Sequence, residues 1–514
     1  MNPEIQTAAS AAEQHRSILV VMGALMITML LAALDQTIVS TALPTIASDF
    51  GALNELSWVV TSYLITSAVV TPLYGKFSDI FGRKLLLSIA VIVFLIGSVL
   101  SGLSGSMLQL IIFRGIQGIG AGGLMSLVFA TIGDVVPPRD RGRYQGLIGA
   151  VFGVSSVVGP LLGGFFTDQL SWRWIFYINV PLGLLALAAI ATRLHIPVHK
   201  REHSIDYFGS LLLSASVICL LLASVWGGST YAWGSVQILW LLWSGVFLGY
   251  SFIWWESRAK EPIMPLHLFK NSIFTVSSLL SFTSGLAMFA AIIYLPEYMQ
   301  IVRGYSATKS GLLMLPLVIG LLVASVISGR LISKTGKYRF FPIFGTVVTG
   351  IGLLLMSNLD PDTNQWLLSF WMLVTGIGIG SFMQVMTLAV QNAVEYKDLG
   401  SATSLVTFFR SMGSTFGTSI FGAILASRFV AHLSASAPNA SFGGGSGAHA
   451  INALRTLPPE AVQVAFAAFT HAFDDIFFYA SPVMLVAFIL AFFLKEIPLR
   501  SALKEQAEYE PVGM

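Results

Sequence analysis

Asp35 is the one acid well inside a long apolar stretch of this 514-residue chain, and Arg114 and Arg410 are the two basic residues so placed. A carboxylate in hydrocarbon is costly, so an acid there is a functional candidate by default. Asp35 is read as a proton-binding site with Arg114 as its charge partner. Burial disfavours the carboxylate and a nearby guanidinium favours it, so movement or ligand entry can switch protonation. The competing reading is a static ion pair that only holds two helices together. Gln117 lies one turn from Arg114 on the same face and offers a neutral hydrogen-bond partner. Counted from Pro44, Asp35 lies about nine residues, roughly 13 Å, below the end of its stretch, and Arg114 about six residues, roughly 9 Å, into its own. The two can therefore meet at similar depth. Arg410 is read as structural, snorkelling toward carbonyls or a carboxylate.

Composition says what must hold these residues. Apolar residues make up 55% of the chain and charged ones 10%, with a mean hydropathy of +0.79. Soluble domains carry about 25% charged residues, so the apolar excess belongs in a bilayer, and the chain is an all-α polytopic membrane protein. The single cysteine, Cys219, excludes an internal disulfide and a cysteine zinc site. Gly118-x-Gly120-x-x-Gly123 matches a dinucleotide pattern as a string only, because it lies in an apolar stretch and follows no strand. There is no Walker A loop to drive ATP-dependent work and no H-E-x-x-H pair; neither cofactor, metal nor nucleic acid is expected. His195, His199 and His203 crowd a basic linker better suited to lipid headgroups than to metal.

Fourteen apolar stretches of about 17–25 residues follow one another, the first at 17–40, the second at 57–75, the eleventh at 341–357 and the last at 475–494. Residues 1–16 are polar and the first stretch exceeds a signal core, so no cleaved leader is expected. With the N-terminus cytoplasmic, inner segments hold 21 Lys and Arg and outer segments five. That asymmetry places both termini in the cytoplasm. An internal repeat is also legible. Gly75 to Lys84 recurs in degenerate form as Gly329 to Tyr338, and Gly118-Ile119-Gly120 recurs as Gly376-Ile377-Gly378. Residues 17–194 and 272–495 therefore form two six-helix halves. Residues 195–271 form a linker with two extra helices, 431–474 an outer loop, and 1–16 and 496–514 cytoplasmic tails. Two parallel halves are a transporter architecture with its site between them. Arg114 has the uncharged Met372 as its repeat counterpart, which favours a functional role over an architectural one.

Five motifs carry a family resemblance. Gly75-x-x-x-Asp79-x-x-Gly82-Arg83-Lys84 resembles the cytoplasmic loop signature of the major facilitator superfamily. Leu34-Asp35-Gln36-Thr37-Ile38-Val39 with Ala42-Leu43-Pro44 resembles the first-span motif of its fourteen-span drug:proton antiporters, the EmrB/QacA type. Arg114-Gly115-x-Gln117-Gly118 is similar to their fourth-span motif. Gly149-x-x-x-Gly153 through Gly159-Pro160-x-x-Gly163-Gly164 is similar to the fifth-span antiporter motif, and Trp172 to Gly183 to the fourteen-span signature.

The resemblance implies export of small amphipathic compounds from the cell by proton antiport across the cell membrane, without a cofactor. In a Gram-negative host it implies a periplasmic adaptor and an outer-membrane channel as partners, beside protons and lipids. It implies proton coupling by Asp35 and Arg114, with Gln36, Tyr63, Gln117 and Gln384 lining a substrate cavity. Asp79, Arg83 and Asp134 would close an inner gate at the Gly75–Gly82 turn, the alternative being a purely topogenic loop. Gly153, Gly159, Pro160, Gly163 and Gly164 would seal the protein against leak, the alternative being simple close packing. Glu297 departs from the family's pattern. It is read either as a second proton or cation site or as a solvated rim acid. Two other functions stay open: export of one physiological compound, such as a lipid, siderophore or metabolite, and a membrane enzyme or sensor that has lost transport.

Overall fold

A computed structural model describes residues 3–51, 55–194, 206–228, 230–436 and 459–499. These residues are overwhelmingly helical and contain no strand, because a helix satisfies all of its own backbone groups where no water can. In chain order the α-helices are α1 (Pro3–Phe50), α2 (Leu56–Phe81), α3 (Arg83–Leu103), α4 (Met107–Val135), α5 (Pro138–Gln169), α6 (Trp174–Tyr177), α7 (Asn179–Arg193), α8 (Tyr207–Trp226), α9 (Val236–Glu256), α10 (Ser272–Ile301), α11 (Ala307–Leu313), α12 (Leu315–Thr335), α13 (Phe340–Met356), α14 (Gln365–Phe382), α15 (Val385–Ala393), α16 (Leu399–Ser436) and α17 (Pro459–Phe493).

Among the described residues, twelve helical segments are long and apolar enough to cross a membrane. The second and eleventh predicted stretches are helical too, as α2 and α13, but fall outside that set. α13 has only 17 residues. Length and hydropathy thus support twelve of the fourteen expected crossings.

Three predicted stretches are interrupted. The sixth breaks at Ile178 between α6 and α7, the tenth at Met314 ahead of Pro316, and the twelfth at Met383–Gln384 between α14 and α15. Other elements exceed their apolar cores. Residues 3–16, expected as a tail, continue α1, and α16 and α17 extend over both ends of the expected 431–474 loop. Helix propensity carries these segments beyond the apolar window, which reports only what lipid requires. The middle of that loop (437–458), the linker start with His195, His199 and His203, and the tail from 500 on lie outside the described residues.

The repeat visible in the sequence is also a packing repeat. In the first half α1 packs on α5 and α7, α4 on α2 and α3, and α3 on α7. In the second half α10 packs on α16 and α17, α14 on α12 and α13, and α13 on α17. The halves meet along two seams, α5 against α12 and α2 against α16, which exchange under the same correspondence. α8 packs on α9 and lies against both α2 and α16. α9 turns outward, with Trp240 69% and Trp243 71% exposed, as a lipid-facing helix would.

Candidate functional site

Asp35 on α1 is fully buried, and its carboxylate accepts three hydrogen bonds from two other helices. Arg114 Nη1 donates to Oδ2 at 2.7 Å, while Gln117 Nε2 and Asn179 Nδ2 donate to Oδ1 at 2.8 and 2.9 Å. Arg114, 1% exposed, also donates to Gln117 Oε1 at 2.7 Å and to the Val59 carbonyl at 3.3 Å. Its guanidinium lies 4.2 Å from the centre of the Tyr63 ring, a cation–π contact. Gln36 lies at the Tyr63 hydroxyl. Asn179 donates again to Ser98 Oγ at 3.0 Å, and that hydroxyl is anchored on the Phe176 carbonyl at 2.9 Å.

Local sequence explains the arrangement. Three residues of helix bring Arg114 and Gln117 to one face of α4. The break at Ile178 lets α7 begin at Asn179, with its amide turned into the half. Every donor meets an acceptor-only group, so the shell is built for the ionised carboxylate. A proton on Asp35 removes the charge that holds Arg114 and occupies one acceptor position. Proton binding and the Arg114 pair therefore compete.

A second charged cluster ties the halves together at the face carrying the Gly75–Lys84 turn. Arg83 is buried and reaches Asp79 Oδ1 at 2.6 Å and Asp134 Oδ2 at 2.7 Å, and also hydrogen-bonds Ser78 Oγ. Asp79 Oδ2 accepts from the backbone N–H and the hydroxyl of Ser401 at 2.9 and 2.8 Å. An acid of the first half thus sits at the N-terminus of α16 in the second, where the helix dipole favours negative charge. Gly82 makes the turn between α2 and α3 with φ +93°, a left-handed conformation that disfavours side chains. Gly75 faces Ser404 of α16. On the other seam Gln145 Nε2 donates to Gln391 Oε1 at 3.0 Å, Arg141 Nη1 to the Gln391 carbonyl at 3.2 Å, and the Arg143 N–H to Ser333 Oγ at 3.2 Å. The degenerate copy of the turn therefore contributes a hydroxyl where the first contributes a carboxylate.

The small residues of α5 divide among three neighbours. Gly159 and Gly163 face Thr37 and Thr41 of α1, and Thr37 Oγ1 donates to the Ser155 carbonyl at 2.8 Å. Gly153 faces Val318 and Leu322 of α12, while Gly164 and Pro160 face Thr308 and Gly311 of α11. One run of small residues thus closes both an intra-half and an inter-half contact.

Two expectations are corrected, and a third keeps both of its readings. Gln384 does not join Asp35. It lines a separate small void between the halves with Gly142, Gln145, Ser325 and Ser328, on the level of Gln145, roughly 15 Å of α5 from Ser155. Its registry was hidden by the α14–α15 break. Arg410 reaches neither carbonyl nor carboxylate among the described residues; its guanidinium lies 5.3 Å from the Phe129 ring centre. Glu297, on α10 beside Tyr294, is partly exposed and has no ion pair or hydrogen bond among the described residues. Asn179, inside the Trp172–Gly183 signature, is a site residue that the motifs do not single out. Its signal was an amide at the head of an apolar stretch.

Comparison with known proteins identifies the family. The model of the Major Facilitator Superfamily matches residues 25–418 and again 278–511. An uncharacterised MFS-type transporter of Mycobacterium tuberculosis is 45% identical over 93% of this chain and 70% of its own length. The multidrug transporter protein MdtP of Bacillus subtilis is 41% identical over 81% of this chain and 76% of its own. Among solved structures, the proton:xylose symporter XylE has a similar fold, with a TM-score of 0.64 at 16% identity, over 97% of this chain and 100% of that one. On the match of the family model over most of its length and the relatives at 45% and 41% identity, the chain belongs to the major facilitator superfamily.

Proposed function

We propose that this protein exports amphipathic compounds across the cell membrane by proton antiport, with Asp35 as the proton carrier. The observation that carries the reading is the shell around Asp35: one buried carboxylate, three donors, and a guanidinium that a proton would displace. In the cycle, a proton arriving from outside neutralises Asp35 and frees Arg114 and Gln117 to rearrange α1 against α4. Release of that proton inward restores the pair and resets the cavity. The cluster of Asp79, Arg83, Asp134 and Ser401 is the inner gate, closed here, and its opening exposes the cavity to the cytoplasm.

On this reading all fourteen apolar helices cross the membrane, both termini are cytoplasmic, and α8 and α9 form the insert between the halves. The proton gradient is the energy source and no cofactor is required. Multidrug resistance is the phenotype, as the name of the 41%-identical relative suggests. In a Gram-negative host an adaptor and an outer-membrane channel would complete the route.

Inside-out vesicles carrying the protein test this. An imposed acid-inside gradient should drive dye accumulation that a protonophore abolishes. Accumulation in de-energised vesicles given ATP alone would overturn the reading.

A further inference from the structure

Among the described residues, Arg410 is a buried cation with no countercharge. It is 8% exposed, and among the described residues its guanidinium makes no ion pair or hydrogen bond. Among the described residues its guanidinium carbon lies 5.3 Å from the centre of the Phe129 ring of α4. Arg114, by contrast, has a carboxylate, an amide and a carbonyl. A guanidinium has five N–H donors, and a buried charge is tolerated only when paired. An aromatic face meets none of those donors in line and supplies no countercharge.

The surroundings point to a ligand rather than to a missing protein partner. Arg410 lies on α16 in one stripe with Thr403, Thr407 and Ser414, all buried. Thr403 Oγ1 is joined through Gln391 to Gln145. Gln145 and Gln384 line the void between the halves, where both amide atoms of Gln384 and Oε1 of Gln145 are buried without hydrogen-bond partners among the described residues. Unpartnered polar atoms thus lie at the inter-half seam beside Gln145 and Gln384, and on α16, seven residues beyond Thr403, lies a buried guanidinium without a countercharge among the described residues.

We propose that Arg410 is the anion-binding element of the cargo path, and that the cargo class includes amphipathic organic acids whose carboxylate or sulfonate pairs with this guanidinium. The apolar part of such a ligand would lie along Phe129, and the unpartnered amides would hydrogen-bond its polar groups on the way in. This rests on the exporter reading above but sets its substrate chemistry.

Binding at equilibrium, without any gradient, separates the two. Purified protein is titrated with 1-pyrenebutyrate and, separately, with the cation tetraphenylphosphonium. Arg410→Gln should weaken pyrenebutyrate binding by about tenfold or more and leave tetraphenylphosphonium binding unchanged or tighter. Arg410→Lys should retain most pyrenebutyrate affinity, and Phe129→Leu should change it by less than about threefold, because the charge and not the ring makes the site. A folded Arg410→Gln protein that binds pyrenebutyrate like the wild type, or loses both probes equally, overturns the proposal. So does a wild type that binds only the cation, in which case the exporter reading stands alone. If Arg410→Gln does not fold, phenylglyoxal modification of the wild type decides. Bound pyrenebutyrate should protect Arg410 in peptide mass spectra, and an unprotected Arg410 refutes the site.

Discussion

The amide of Asn179 donates to the Oδ1 of Asp35 at 2.9 Å, so the first helix of the half is held by the last through the carboxylate that Arg114 neutralises. This places the charged pair under the control of three helices. A movement of α7 reaches the proton site directly.

Asp35→Asn keeps the volume and removes the titratable group. The expected outcome is a folded protein that has lost uphill efflux yet still exchanges substrate down its gradient. A static ion pair predicts a different result: Arg114 left buried and uncompensated, destabilised by about 3–5 kcal/mol, with poor folded yield. Folded yield and pH-driven uptake measured on one preparation separate the two. Wild-type proton-driven transport in this variant would remove Asp35 from the mechanism and make Glu297 the next acid to test.

Asn179→Ala deletes one donor to the carboxylate and leaves Ser98 without its amide partner. A hydrogen bond to a charged group contributes about 1.5–3 kcal/mol. The variant should therefore melt measurably earlier in detergent and export more slowly. An unchanged melting temperature with unchanged export would show that Asn179 is incidental to the site.

Asp79→Asn weakens the ion pair to Arg83 but retains an acceptor for Ser401. Because the clasp lies far from Asp35, substrate affinity should stay nearly intact while turnover falls. A tenfold loss of equilibrium affinity, about 1.4 kcal/mol, with normal turnover per bound molecule would refute the gating role.

Gly400→Ala tests the same clasp from the other half. A Cβ at Gly400 would clash with Asp79 Oδ1 and Arg83 Nη1, so the charged cluster must yield. The seam should open at the basic face. A cysteine introduced as Gln145→Cys, in a Cys219→Ser background, should then react faster with an impermeant maleimide added to that face. An unchanged rate would mean that the clasp absorbs the methyl group without parting the halves.

What the sequence determined by itself follows from constraints that act locally. Helical identity comes from the demand of hydrocarbon for satisfied backbone groups, and the paired halves were legible because Gly75–Lys84 and Gly329–Tyr338 repeat one local turn. The approach of Asp35 and Arg114 was legible too, because a constant helix rise turns residue counts into depth. Which side chain meets which across helices depends on rotation and tilt, and no local rule encodes those. Only the tertiary structure could therefore decide that Asn179 completes the Asp35 shell, that Asp79 docks on Ser401 of the other half, and that Gln384 lies apart from both. The same reason hid the isolation of Arg410. A buried cation advertises the need for a partner in any sequence, but whether the fold supplies one is settled only when α16 packs against α4 and offers it Phe129.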